Sequence, residues 1–159
     1  MGNYTWRIMT TKLNQILLSK KNHFASVSSQ DYQSETDFLN HVAEILNNGV
    51  DIIELRENNL PTNMIMQIGK KMRDLTAVFN ALLIIYDRID IAKLIHADGV
   101  SLDENTISVT DARKLLEDNF LLGYKTNVSK AANIAEQNGA DFIITTQHFE
   151  LLNVKQFHA

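Results

Sequence analysis

Short apolar runs rich in β-branched residues alternate with longer amphipathic stretches along most of this chain, and that alternation restricts the fold more than any other feature. The runs fall at 23–28, Val50 to Arg56, Ala81 to Tyr86, Asp98 to Leu102, Phe120 to Tyr124 and Asp141 to Thr145. They are too continuously apolar to leave one face in water, which is the mark of strands buried on both sides. Between them, apolar residues recur every three or four positions at 36–48, 61–77, 88–96, 109–118 and 128–138, the helical period. Strand–helix alternation of this kind predicts a parallel sheet covered by helices.

Local signals support the boundaries. Gly49 follows the first of these helices where a left-handed residue ends it. Pro61 opens the second, where its fixed φ and missing N–H do no harm. Ser108 or Thr110 caps the helix at 109–118. Residues 6–20 carry the helical period too, so 1–22 reads as an N-terminal helical extension, 23–149 as the (βα) domain and 150–159 as a tail of ambiguous structure.

Asn48-Gly49-Val50-Asp51, Ala97-Asp98-Gly99-Val100 and Asn138-Gly139-Ala140-Asp141 each set a glycine between a helix end and an apolar strand. One αβ loop used repeatedly suits a (β/α) barrel better than a doubly wound sheet. Neither a Gly-x-Gly-x-x-Gly run nor a P-loop motif is present. The strand starts recur about every 23 residues; eight such units after the leader need roughly 209 residues, against 159 here. The expectation is an incomplete TIM-type (βα) barrel, α/β in class, with about six parallel strands, an N-terminal helix and open sheet edges that must be covered or paired.

Composition narrows the function classes. The chain has no cysteine, which excludes disulfides and thiolate metal sites. Its net charge of −4 gives no footprint for nucleic acid. No apolar run is long enough for a membrane span, and no targeting peptide stands out, so a cytoplasmic protein is expected.

In parallel α/β folds chemistry sits at the C-terminal ends of strands. Glu54 and Arg56, two apart, point to the same side of strand two. Arg56 can grip a phosphate or carboxylate through two parallel hydrogen bonds, or instead close on Glu54 or Asp87. Asp87, after strand three, suits magnesium carried with a substrate phosphate, or caps the helix at 88–96. Asp103 and Glu104 follow strand four and can complete a metal site, or stay as ordinary loop acids. Lys125, at the end of strand five, offers a phosphate a point charge. The histidines show no metal spacing; His148 alone follows a strand, while His41 and His96 fall on helices as structural or exposed residues.

Gly49-Val50-Asp51-Ile52-Ile53-Glu54-Leu55-Arg56-Glu57, Leu83-Ile84-Ile85-Tyr86-Asp87-Arg88-Ile89-Asp90-Ile91-Ala92, Ala97-Asp98-Gly99-Val100-Ser101-Leu102 and Gly139-Ala140-Asp141-Phe142-Ile143 occur in this order. Together they resemble the motifs of the thiamine-phosphate synthase/TenI family, over about residues 23 to 149. The resemblance implies a (βα)₈ barrel. It also implies thiamine biosynthesis: Mg²⁺-assisted transfer of a pyrimidine from hydroxymethylpyrimidine diphosphate to thiazole phosphate, or a thiazole tautomerase branch. Under it Arg56, Glu54, Lys125 and Asn58 would bind substrate or phosphate, Asp87 and Glu104 would bind metal, and the partner would be a phosphorylated small molecule.

Several positions depart from the family pattern. Its strand-two glutamine is Glu54, the lysine after its arginine is Asn58, and the asparagine before its aspartate is Tyr86. Its second metal aspartate aligns with Thr106, and the serine and histidine of its strand-five motif with Lys125 and Asn127. No counterpart of the glycine-rich segments after strands seven and eight is seen. An added carboxylate and a lost lysine weaken diphosphate binding, since charge-assisted contacts are worth about 1.5–3 kcal/mol. The expectation is impaired or lost transfer. The alternatives are an active phosphate-ligand enzyme completed by oligomerisation, and a non-catalytic interaction module that forms homo-oligomers through open sheet edges.

Overall fold

The computed structural model describes residues 23–145 and 149–151. Six strands pair in parallel in sequence order: β1 (Phe24–Val27), β2 (Ile52–Leu55), β3 (Leu82–Tyr86), β4 (Gly99–Leu102), β5 (Leu121–Lys125) and β6 (Phe142–Ile144). Helices α1 (Glu35–Asn47), α2 (Thr62–Val78), α3 (Ile89–Leu94), α4 (Val109–Leu115) and α5 (Ser129–Gln137) connect them. A short β7 (Phe149–Leu151) then turns back antiparallel along β6. Among the described residues nothing pairs β1 with β6 or β7, so the barrel is open, as expected. The predicted leader helix and His148, and the tail beyond residue 151, lie outside the described residues.

Alternation along the strands builds two cores. Ile53, Leu55, Leu83, Ile85, Val100 and Leu122 face the helices and pack on Phe38, Val42, Ile68, Met72 and Ile91. Ile52, Leu82, Ile84, Leu121, Phe142 and Ile144 face the barrel interior. Gly123 stands among them because a Cβ there would lie 1.9 Å from the Phe142 ring, which fills the space.

Ser108 caps α4 by accepting from the Asp111 N–H at 3.0 Å, and Ser34 caps α1 by accepting from the Asp37 N–H at 3.1 Å. Pro61 sits one position before α2, with φ −58°. The αβ loops correct the expected glycine repeat. The left-handed residues that end helices are Gly49 (φ 103°), Asn80 (φ 53°), His96 (φ 57°) and Gly139 (φ 109°). Gly99 belongs to β4 instead, where a Cβ would meet the Leu121 carbonyl oxygen at 2.5 Å.

An aspartate stands two residues after Gly49, His96 and Gly139, while Leu82 stands after Asn80, and two of these aspartates make matching contacts. Asp98 accepts from the Leu83 N–H and from Arg73 Nη1 of α2, each at 2.8 Å. Asp141 accepts from the Leu122 N–H at 2.9 Å and from Arg113 Nη2 of α4. Each buckle ties a helix and two strands together at the N-terminal end of the sheet, the end that carries stability in this fold.

Candidate functional site

At the C-terminal mouth the interior rows turn polar. On β2 the row that begins with Ile52 continues to Glu54 and Arg56. On β3 it reaches Tyr86, and on β4 it runs from Gly99 through Ser101 to Asp103 just beyond the strand. Register sets Ser26 beside Glu54 and Tyr86 beside Ser101.

Glu54 is buried, and its carboxylate is satisfied without a ligand. The Ser26 hydroxyl donates to Oε1 at 2.6 Å and the Ser101 hydroxyl to Oε2 at 2.5 Å. Arg56 approaches the same group only loosely, with Nη1 3.8 Å from Oε1.

The principal partner of Arg56 is Asp103. Nη2 donates to Asp103 Oδ2 at 2.9 Å, and the Tyr86 hydroxyl donates to that same oxygen at 2.9 Å. The guanidinium carbon lies 3.7 Å from the centroid of the Tyr86 ring, a cation–π contact. Burial pushes the Asp103 carboxyl upward, but the Asn105 N–H, Tyr86 and Arg56 outweigh it and hold the group below the usual carboxylate range. Burial and the Asp103 carboxylate push the Tyr86 phenol up to about 12, so it stays a donor. Of the two internal partners weighed for Arg56, Glu54 is approached loosely and Asp87 is not bonded; Asp103 is the main one.

On its other side Arg56 walls a cleft of about 320 Å³ with Ser26, Ser28, Gln30, Asn58 and Asn59. Asp31, at the end of the turn Ser29–Asp31 that also supplies Gln30, lines it too. Glu57, buried, pins that turn by accepting from the Ser29 N–H at 2.6 Å and from the Ser28 hydroxyl at 3.1 Å. Asn58 lines the same cleft as Arg56.

Lys125 faces the mouth from β5, two residues after the interior Gly123, and is half-buried. Asp87 is exposed, with φ 63°, and its N–H donates to the Ser101 carbonyl at 2.9 Å. It does not cap α3: Arg88 stands at that position and makes no side-chain cap bond. Glu104 is exposed in the loop after β4. Neither Asp87, Glu104 nor Lys125 lines the cleft.

These residues do not fit a resident magnesium ion. Among the described residues no three acidic or histidine side chains gather. Asp103 is engaged by Arg56 and Tyr86. The Thr106 hydroxyl is closed into the loop, accepting from the Asp103 N–H and donating to the Asp103 carbonyl.

The family model described as thiamine monophosphate synthase matches residues 25–151. The chain belongs to the thiamine monophosphate synthase family. It is 37% identical over 132 residues to the thiamine-phosphate synthase of Dictyoglomus thermophilum, covering 83% of this chain and 59% of that protein. It is 35% identical over 114 residues to the putative thiamine-phosphate synthase 2 of Aquifex aeolicus, covering 72% and 61%. The solved thiamine phosphate pyrophosphorylase of Pyrococcus furiosus superposes with a TM-score of 0.72 at 30% identity, over 80% of this chain and 61% of that one. A tryptophan synthase alpha chain from Legionella pneumophila, at a TM-score of 0.50 and 12% identity, shares the fold alone. The chain spans about three fifths of the length of the curated relatives it matches. The motif resemblance thus reflects membership of a thiamine biosynthesis family, and the open barrel matches that family's fold over the shared part.

Sequence reading weighed Asp103 for a metal and passed over Tyr86, Ser101 and Ser26 as site residues. Two signals bear on them: Tyr86 replaces a family asparagine, and Asp103 lies on the same row two after Ser101; neither reaches Ser26.

Proposed function

We propose that this chain is a thiamine-phosphate synthase-type domain in which transfer of the pyrimidine from hydroxymethylpyrimidine diphosphate to thiazole phosphate is impaired or lost. One observation carries the reading: the arginine that would grip a phosphate is already neutralised by Asp103 and covered by Tyr86. A ligand phosphate has to displace a charge-assisted hydrogen bond worth about 1.5–3 kcal/mol before it gains its own. At about 1.4 kcal/mol per tenfold step, that is one to two orders of magnitude in affinity or rate.

The ancestral reaction expels pyrophosphate, so it needs cations where negative charge develops. The mouth offers Arg56 and Lys125, and Arg56 is held elsewhere. In this reading magnesium is no resident cofactor; it enters only as the counterion of a phosphorylated ligand, with Asp87 the exposed carboxylate nearest in role. The activity is tested by incubating the protein with both precursors and Mg²⁺ and measuring thiamine phosphate and pyrophosphate. No product above background is expected. Turnover at a rate that Arg56→Ala abolishes contradicts the reading.

A further inference from the structure

The Asp103 carboxylate that holds Arg56 is itself held by its own loop. β4 ends at buried Leu102, and a tight turn follows in which the Thr106 N–H donates to the Asp103 carbonyl at 3.3 Å. The Thr106 side chain closes the turn a second time. Its hydroxyl accepts from the Asp103 N–H at 3.1 Å and lies 3.0 Å from the Asp103 carbonyl and 3.1 Å from that of Ile107. Within the turn the Asn105 N–H donates to Asp103 Oδ1 at 2.9 Å, the contact of an Asx turn.

The two carboxylate oxygens are therefore divided. Oδ1 is anchored in the loop, and that anchoring directs Oδ2, which meets Arg56 Nη2 and the Tyr86 hydroxyl. An aspartate in an open loop spends rotamer freedom to reach an arginine; one already fixed by local bonds makes the same contact at less cost. Glu104 and Asn105 are exposed, while Thr106 is half-buried with its hydroxyl turned back onto the Asp103 backbone.

We propose that Thr106 is a positioning residue of this site: by closing the loop it aims Asp103 at Arg56, and so sets how readily the arginine accepts an anionic ligand. It acts through Asp103 and not on the ligand. The inference rests on the impaired-transfer reading above. Opening the loop would leave Arg56 its charge and its fork of donors, and would remove the geometry that makes Asp103 the better acceptor.

The test is calorimetric titration of the full chain with inorganic pyrophosphate, without magnesium so that no metal–carboxylate contact contributes. Thr106→Val, which keeps the shape and loses the hydroxyl, is expected to bind at least fivefold more tightly than the wild type. Thr106→Ser, which keeps the hydroxyl, is expected to stay within twofold. Added to Asp103→Ala, Thr106→Val is expected to change affinity by no more than twofold, because its effect runs through the carboxylate. If Thr106→Val does not fold, Thr106→Ala takes its place with the same expectation. A residue that merely stabilised the loop would lower the melting temperature on substitution without tightening binding. Equal or weaker binding by Thr106→Val overturns the proposal. So does an equal gain in Thr106→Ser, or a gain that persists without Asp103. Tyr86→Asn/Asp103→Gly in the same titration separates the two readings. A gain there with none from Thr106→Val sinks this inference alone, and no gain from either sinks the reading beneath it as well.

Discussion

Arg56 and Asp103, 47 residues apart, meet at 2.9 Å across the mouth of the barrel, with the Tyr86 hydroxyl on the same carboxylate oxygen. The pair is partly buried, so it is more than a surface ion pair but short of a fully desolvated one. A double-mutant cycle with Arg56→Met and Asp103→Asn, read by denaturant unfolding, is expected to give a coupling of about 1–2 kcal/mol. A coupling near zero means the contact is not formed in solution.

The same carboxylate makes stability depend on pH with a defined sign. Asp103 has a folded-state pKa below its unfolded value, so its contribution is present above the unfolded carboxylate pKa, about 3.9. That contribution is lost as pH falls through the folded value. Comparing unfolding free energies at pH 6 and pH 3, the wild type is expected to lose more stability than Asp103→Asn. An equal loss in both removes Asp103 as a source of the dependence.

Gly123→Ala forces a methyl group into the Phe142 ring. It is expected to destabilise by about 2–3 kcal/mol, the range for overpacking a tight core. Phe142→Leu, costly alone because it leaves a cavity, is expected to recover part of the loss when combined with Gly123→Ala. Additive losses instead indicate that the two sites do not touch.

At the opposite end, Asp98→Ala and Asp141→Ala each remove the acceptor of a strand N–H and the carboxylate partner of an arginine that keeps its bonds to backbone carbonyls. Each is expected to lower stability by about 2–4 kcal/mol. Circular-dichroism melts of the two variants are expected to shift down alike, because the buckles share one geometry. A change at only one site breaks the repeat.

Strand and helix positions were legible because burial on both faces writes a continuous apolar run, and helices write their period. Ser108 as a cap, Gly49 and Gly139 as helix ends, and the burial of Glu54 follow from local rules. The loop repeat was legible only in part. Glycine drew the eye, but Asn80 and His96 adopt the same left-handed conformation, and the recurring group is the aspartate that bonds a neighbouring strand. The mouth was least legible. Alternation places Glu54 and Arg56 on the interior, but which carboxylate answers Arg56 depends on the register of β2, β3 and β4 together, and no local pattern encodes that. Asp87, one of the alternatives weighed for Arg56, has a left-handed backbone and is exposed.

The most direct test is whether freeing Arg56 restores phosphate binding. Inorganic pyrophosphate with Mg²⁺ is titrated into the wild type and into Tyr86→Asn/Asp103→Gly, which removes both the cover and the competing carboxylate. The double variant is expected to bind at least tenfold more tightly than the wild type. Equal affinity for the two proteins, with the variant folded, contradicts the claim that Asp103 and Tyr86 have taken over the arginine of this family's site.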